Sequence, residues 1–273
     1  MSDPSESTPA QSILRAPGQS QLRGGQSVIK SAEKTPLKID LIFCVDGTSS
    51  MQPFVEPLKD RLKKLVLEEL PSMIAASAPH KSPDLRYRLI VFRDLEEDQL
   101  HQIEDGKFTA DLQEIEAAIG AITTAGGGDE PESFLDAIVW ALKSGDADEN
   151  KRLRSDARPL LFVFSDAPAK PTLSEMTKTQ FGLSSGSVKD VLAIINACAP
   201  TPTLCMVAPA TGMSGAPNTA VGEVKQYANA KNVEWRGVPA GGGLAGVNIG
   251  DILSGALKTV TKNAQARTTV VTA

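Results

Sequence analysis

Residues 41–51 read LIFCVDGTSSM: an apolar run, then Asp46, Gly47, Thr48, Ser49 and Ser50, then the first residue of an amphipathic segment. A short continuous apolar run closed by turn residues is the pattern of a strand covered on both faces, as in a parallel sheet. Its ending sets several oxygen atoms, and no strong base, at the lip of that sheet. Downstream, residues 51–74 carry Phe54, Val55, Leu58, Leu62, Leu65, Val66 and Leu70 at helical spacing with Lys and Arg opposite, which predicts one long helix. The runs RYRLIVFRD (86–94), PLLFVFSD (159–166), TLCMVAP (203–209) and NVEWRGV (232–238) read as further strands. Helices are expected at 111–122, from near Pro131, at 187–197, 219–230 and 249–263. Strands alternating with helices predict an α/β fold, a doubly wound and mostly parallel sheet with helices on both faces, in one domain over 37–264. Residues 1–36, rich in Ser, Gln, Pro, Gly and Lys, cannot bury enough surface to offset ordering and read as a disordered tail. Residues 265–273 read as a short flexible tail.

Composition narrows the function. A hydrophobic content of 41% over 273 residues supports a sizeable core, and a net charge of −5 argues against a nucleic-acid partner, which needs a basic face. No apolar run approaches the roughly 18 to 20 residues that span a bilayer, and MSDPSESTPAQ lacks the basic-then-apolar pattern of a secretory signal. The expectation is a soluble cytoplasmic protein with no membrane partner. Cys44, Cys198 and Cys205 lie in or beside apolar segments and read as buried thiols, while His80 and His101 are the only imidazoles.

Three loops rich in oxygen fall at the carboxyl ends of predicted strands or in the turns between elements, where open α/β sheets bind ligands. In DGTSS, Asp46, Thr48 and Ser50 alternate along the turn, so that their side chains can point to one side. In AGGGDEPES, 125–133, three glycines precede Asp129 and let the backbone turn tightly. In FSDAP, Asp166 closes the most apolar strand. Carboxylates and hydroxyls without thiolate or imidazole are hard ligands, suited to Mg²⁺, with Mn²⁺ or Ca²⁺ as alternatives.

On these residues the sequence resembles von Willebrand factor A domains that carry a metal-ion-dependent adhesion site. The Asp-x-Ser-x-Ser motif of that family is matched by Asp46-Gly47-Thr48-Ser49-Ser50, with Thr for the first Ser, and its later Asp by Asp166. In integrin-like members a Thr ligates from the middle loop; the matching place here is Asp129, as in many prokaryotic and intracellular members. The resemblance spans residues 38–263. It implies a metal site of Asp46, Thr48, Ser50, Asp129 and Asp166, and a non-enzymatic module that binds a protein partner, whose acidic side chain completes the metal shell. It also implies an intracellular assembly or regulatory role, of the kind found beside kinases and phosphatases in bacterial stress and defence systems. A third carboxylate leaves a divalent ion at about −1, so the site is expected to hold metal well and to draw an acidic partner less eagerly than an integrin-like site.

Other readings of the same residues compete. Ser49 or Ser50 could only cap the helix that follows, leaving a structural domain whose metal site is idle. Glu130 and Glu132 read as first-turn residues of the next helix, favouring its dipole. Arg93 and Asp94 read as a structural ion pair or turn. VDGT is similar to the Asp-x-Asp-Gly-Thr of haloacid-dehalogenase-like phosphatases, but Cys44 stands where that family has its nucleophilic Asp. Gly241, Gly243 and Gly246 satisfy G-x-G-x-x-G after the last strand, without the acidic residue that a dinucleotide site needs.

Overall fold

The structure, a computed structural model, describes residues 36–77, 83–95, 103–127, 130–209 and the backbone of 233–238, together with Asp251 and Gly255 in helical conformation. The expected tails lie outside these residues apart from Pro36. So do the helix at 219–230, most of that at 249–263, both histidines and the glycine motif at 241–246.

Among the described residues six strands form one sheet: β1 (Leu37–Asp46), β2 (Pro83–Phe92), β3 (Ile103–Asp105), β4 (Arg158–Phe164), β5 (Thr203–Pro209) and β6 (Val233–Val238). Their order is β3-β2-β1-β4-β5-β6. All neighbours are parallel except β2 and β3. The α/β, mostly parallel architecture is therefore as expected. Strand β3, only three residues with no β-branched run, was not; it exists because Ile103, Glu104 and Asp105 pair with Phe92, Val91 and Ile90.

The period of two along each strand splits the core into two layers. Ile39, Leu41, Phe43 and Val45 of β1 face one side with Leu160, Phe162 and Phe164 of β4, packing on α1 (Gln52–Lys64), α2 (Leu70–Ser77) and α3 (Leu112–Gly120). Ile42, Cys44, Leu161 and Val163 face the other, under α4 (Phe134–Lys143) and α6 (Val188–Ala197). Each such side chain, buried from water, contributes roughly 1.5–3 kcal/mol.

The helix expected over 51–74 is broken into segments. Ser49–Met51 is a 3₁₀ turn, α1 follows, and Leu65–Glu69 widens into a π turn in which Leu70 N–H reaches back to Leu65 O. Pro71 is the cause: it has no N–H for the carbonyl four residues earlier, and its ring crowds the preceding turn. One helix, α5 (Glu175–Phe181), was not expected; Ser174 caps its start through Thr177 N–H and Gly182, at φ 63°, ends it. Among the described residues no helix is long and apolar enough to cross a membrane.

Candidate metal centre

The strand order reverses between β1 and β4, and the crevice beyond their carboxyl ends is where an open α/β sheet offers a ligand site. Asp46 is the last residue of β1 and is fully buried. Its Oδ1 accepts from Thr48 N–H at 2.9 Å and Thr48 Oγ1 at 2.6 Å, and its Oδ2 from Ser165 Oγ at 2.7 Å. Thr48 Oγ1 and Ser50 Oγ lie 3.0 Å apart, and Ser50 Oγ donates to Asp166 Oδ1 at 3.0 Å. The structure thus brings four of the five sequence-predicted residues, Asp46, Thr48, Ser50 and Asp166, into one hydrogen-bonded chain. The fifth, Asp129, lies outside the described residues.

Ser50 is exposed while Asp46 and Thr48 are buried and Asp166 is 4% exposed, so the chain of oxygens opens to solvent at Ser50. Neither Ser49 nor Ser50 caps the following helix, which starts without a side-chain cap bond. The hydroxyl of Ser50 faces Asp166 instead.

The glycine loop is held against this turn. Ala125 N–H donates to Gly47 O at 2.9 Å, and Ser49 N–H to Gly126 O at 3.0 Å. Gly127, at φ 80°, leaves a gap that a Cβ would fill only 2.8 Å from Thr48 Cβ. Gly127→Ala should therefore combine backbone strain of about 1–2 kcal/mol with displacement of Thr48. The expected result is a loss of divalent-ion affinity of roughly ten- to a hundredfold, the range seen when support behind a ligand is removed. Titration calorimetry checks this, with Gly120→Ala as control, since a Cβ there meets nothing nearer than Lys63 Nζ at 3.7 Å.

Glu132 corrects the sequence reading. Helix α4 begins at Phe134 with Ser133 as its N-cap, so Glu130 and Glu132 both precede the helix and neither sits in its first turn. Glu132 N–H donates to Pro168 O and its carbonyl accepts from Lys170 N–H, both at 2.8 Å, tying it to the loop that follows Asp166. The side chain is 3% exposed, and its Oε2 has no hydrogen-bond partner. Its Oε1 lies 3.5 Å from the same Cβ position at Gly127 that crowds Thr48, which sets the carboxyl beside the oxygen chain. Ser165 was also missed; it orients Asp46 from the adjoining strand.

Electrostatics mark the cluster. Burial, outweighing the hydrogen bonds from Thr48 and Ser165, pushes Asp46 up to about 6. Burial, reinforced by Asp46, Asp94 and Asp166, pushes Glu132 up to about 9. Asp166 is also raised, first by burial. Carboxylates crowded out of water in this way favour a bound cation or proton. Arg93 and Asp94 each enter a structural ion pair, with Glu104 at 2.7 Å and with Lys170 at 2.6 Å. Cys44 is buried beneath α4, its thiol 3.9 Å from Ala137 O and pushed up by burial to about 12.

Among the described residues no group of three or more His, Cys, Asp or Glu side chains has the arrangement of a metal site, so a metal here must draw on hydroxyls. The donor set fits one: two buried carboxylates, two hydroxyls and the unpartnered Glu132 Oε2 are hard oxygen donors, suited to Mg²⁺, Mn²⁺ or Ca²⁺.

A family profile described as von Willebrand factor A domain matches residues 40–181. No curated protein matches the chain. Among solved structures, it is similar to proximal thread matrix protein 1 from the mussel byssus, at 14% identity and TM-score 0.48, over 85% of this chain and 49% of that one. It is also similar to the pilus adhesin SpaC from Lactobacillus rhamnosus GG, at 11% identity and TM-score 0.50, over 84% of this chain and 31% of that one. The chain thus spans about half of the first and a third of the second, and at 11% identity the likeness to the second concerns the fold alone.

Proposed function

This chain belongs to the von Willebrand factor A domain family, and on that premise we propose that it is a non-enzymatic, Mg²⁺-dependent protein-interaction module. The observation that carries the reading is the hydrogen-bonded chain Asp46–Thr48–Ser50–Asp166 at the switch point of the sheet, buried at one end and open at Ser50. In this reading Asp46, Thr48, Ser50 and Asp166 hold the ion, with Asp129 two residues after Gly127 as a further donor. Glu132 supplies charge and an oxygen from beneath. Mn²⁺ or Ca²⁺ are alternative occupants.

When bound, the ion supplies a hard positive charge to which a partner's carboxylate can add as the last oxygen ligand. The chain's own groups do the rest. Thr48 N–H and Ser165 Oγ fix both oxygens of Asp46, and Gly126 O holds Ser49. Exposed Ser50 marks where an acidic side chain would approach. The reading includes a cytoplasmic setting and a partner in an assembly or regulatory complex of a bacterial stress or defence kind.

Capture of partners from the native host on the immobilised full chain tests this reading. The expected result is that proteins retained in Mg²⁺ are released by chelator and are not retained by Asp46→Asn. Retention of the same proteins in all three conditions would sink metal-gated recruitment.

A further inference from the structure

A buried arginine ties the edge of the sheet to the loop beside the oxygen chain. Arg93 directly follows β2 and is 2% exposed. Its Nη1 donates to Glu104 Oε1 of β3 at 2.7 Å, and its Nη2 to Thr123 O at 3.0 Å. Thr123 lies between the end of α3 at Gly120 and the glycines at 126 and 127. Between these two acceptors the guanidinium passes close to the DGTSS turn. A Cβ built on Gly47 would lie 3.4 Å from Arg93 Cζ and 3.3 Å from Thr123 O.

The glycine loop bonds the turn through backbone groups, Ala125 N–H to Gly47 O and Gly126 O from Ser49 N–H. Arg93 adds a tie of another kind, from the start of that loop to a strand of the sheet. The position of the loop matters to the donors, because Gly127 packs on Thr48 with no room for a Cβ, and Mg²⁺ tolerates little departure from octahedral geometry. Arginine suits such a bridge: its planar fork has donors on two edges, where lysine has a single ammonium. The inner part of the bridge is buried, while the Glu104 side chain is 48% exposed.

Resting on the metal-binding reading above, we infer that Arg93 is a positioning residue for the ion. Its guanidinium braces the glycine loop against the edge of the sheet behind the DGTSS turn. Glu104 orients that brace, so ion affinity is set in part from the edge strand, outside the donor set.

Titration calorimetry of the metal-stripped full chain with Mn²⁺ tests the inference, at a temperature where melting curves show every variant folded. Arg93→Met is expected to bind the ion roughly ten- to a hundredfold more weakly, as when support behind a ligand is removed. Glu104→Gln is expected to lose less, and the double variant no more than Arg93→Met alone, because both act through one bridge. Val191→Ala, in α6 under the other face of the sheet, is the control for lost stability and is expected to keep wild-type affinity. An Arg93→Met protein that binds like wild type overturns the inference, and so does a double variant whose losses add. Should Arg93→Met not fold, Arg93→Lys replaces it, with weaker binding expected and wild-type affinity overturning the inference. Hydrogen exchange in chelator separates the brace from the reading it rests on. Ser49 and Ala125 amides, which close the loop on the turn, are expected to exchange faster in the Arg93 variant than in Val191→Ala. A wild type that binds no ion sinks the metal-binding reading; the brace is then upheld by faster exchange at these two amides and overturned by unchanged protection.

Discussion

Asp46→Asn is expected to lose divalent-ion affinity by more than about a hundredfold, because even partners behind a ligand cost roughly 10–100-fold and Asp46 would be a direct donor. The same change should stabilise the metal-free protein at neutral pH. The folded state raises Asp46 from 3.8 to about 6, so it holds a proton that the unfolded chain releases earlier. Stability from this group is whole below about pH 4 and is lost as pH rises through about 6, a swing of up to about 3 kcal/mol. Asn cannot ionise and escapes the loss; its carbonyl oxygen can keep accepting from Thr48 N–H and Oγ1, and the Ser165 hydroxyl can rotate to accept from its NH₂. In chelator, melting temperatures of wild type should therefore fall between pH 4.5 and 7.5 more steeply than those of the variant. Mg²⁺ should raise the wild-type melting temperature more at pH 7.5 than at pH 4.5, since the ion competes with the proton, and should not move the variant. A variant that still binds the ion, or keeps the full wild-type slope, would remove Asp46 from the site.

Arg88→Met is expected to cost about 3–5 kcal/mol, the range for breaking a buried ion pair from one side. Arg88 is fully buried in β2. It donates to Gly106 O at 2.8 Å and to Ala141 O and Lys151 O at 3.1 Å, and it pairs with Asp105, which Lys151 also reaches at 2.8 Å. Methionine keeps most of the volume but leaves three carbonyls without this donor and Asp105 with one cation fewer. Urea unfolding measures the loss. Hydrogen exchange should show it first at Ile103–Asp105, the strand that Arg88 holds to the sheet. A loss under about 1 kcal/mol would show that water replaces the guanidinium, a weaker role than the contacts imply.

The oxygen chain was legible because each of its two carboxylates ends or follows a buried strand within two residues, with the hydroxyls in the turn just beyond, so local pattern and topology agree. Asp46 ends LIFCV and Asp166 follows LLFVFS, and the parallel sheet brings the two ends together. Glu132 was not legible in that way. Its position depends on α4 starting at Phe134, two residues after Glu132, and on backbone bonds to residues 168 and 170, which no local signal announces. Strand β3 likewise owes its existence to pairing with β2 and to the Arg88 anchor, not to its own residues. The break at Leu65–Glu69 could have been anticipated from Pro71, and α5 from Ser174 and Gly182 at its two ends.

The pairing of β1 with β4 sets Val45 opposite Phe164, so that Ser165 faces Asp46 and bonds it at 2.7 Å. A slip of one residue would move β4 by about 3.3 Å and turn every side chain to the other face. The serine would leave Asp46, and Asp166 would leave Ser50. In the proposed metal-binding reading, ion uptake would thus be a proofreading signal for assembly of the sheet: a chain that misaligned these strands could still collapse, but it could not load the ion. In this family member the ligand would certify the scaffold before any partner arrives.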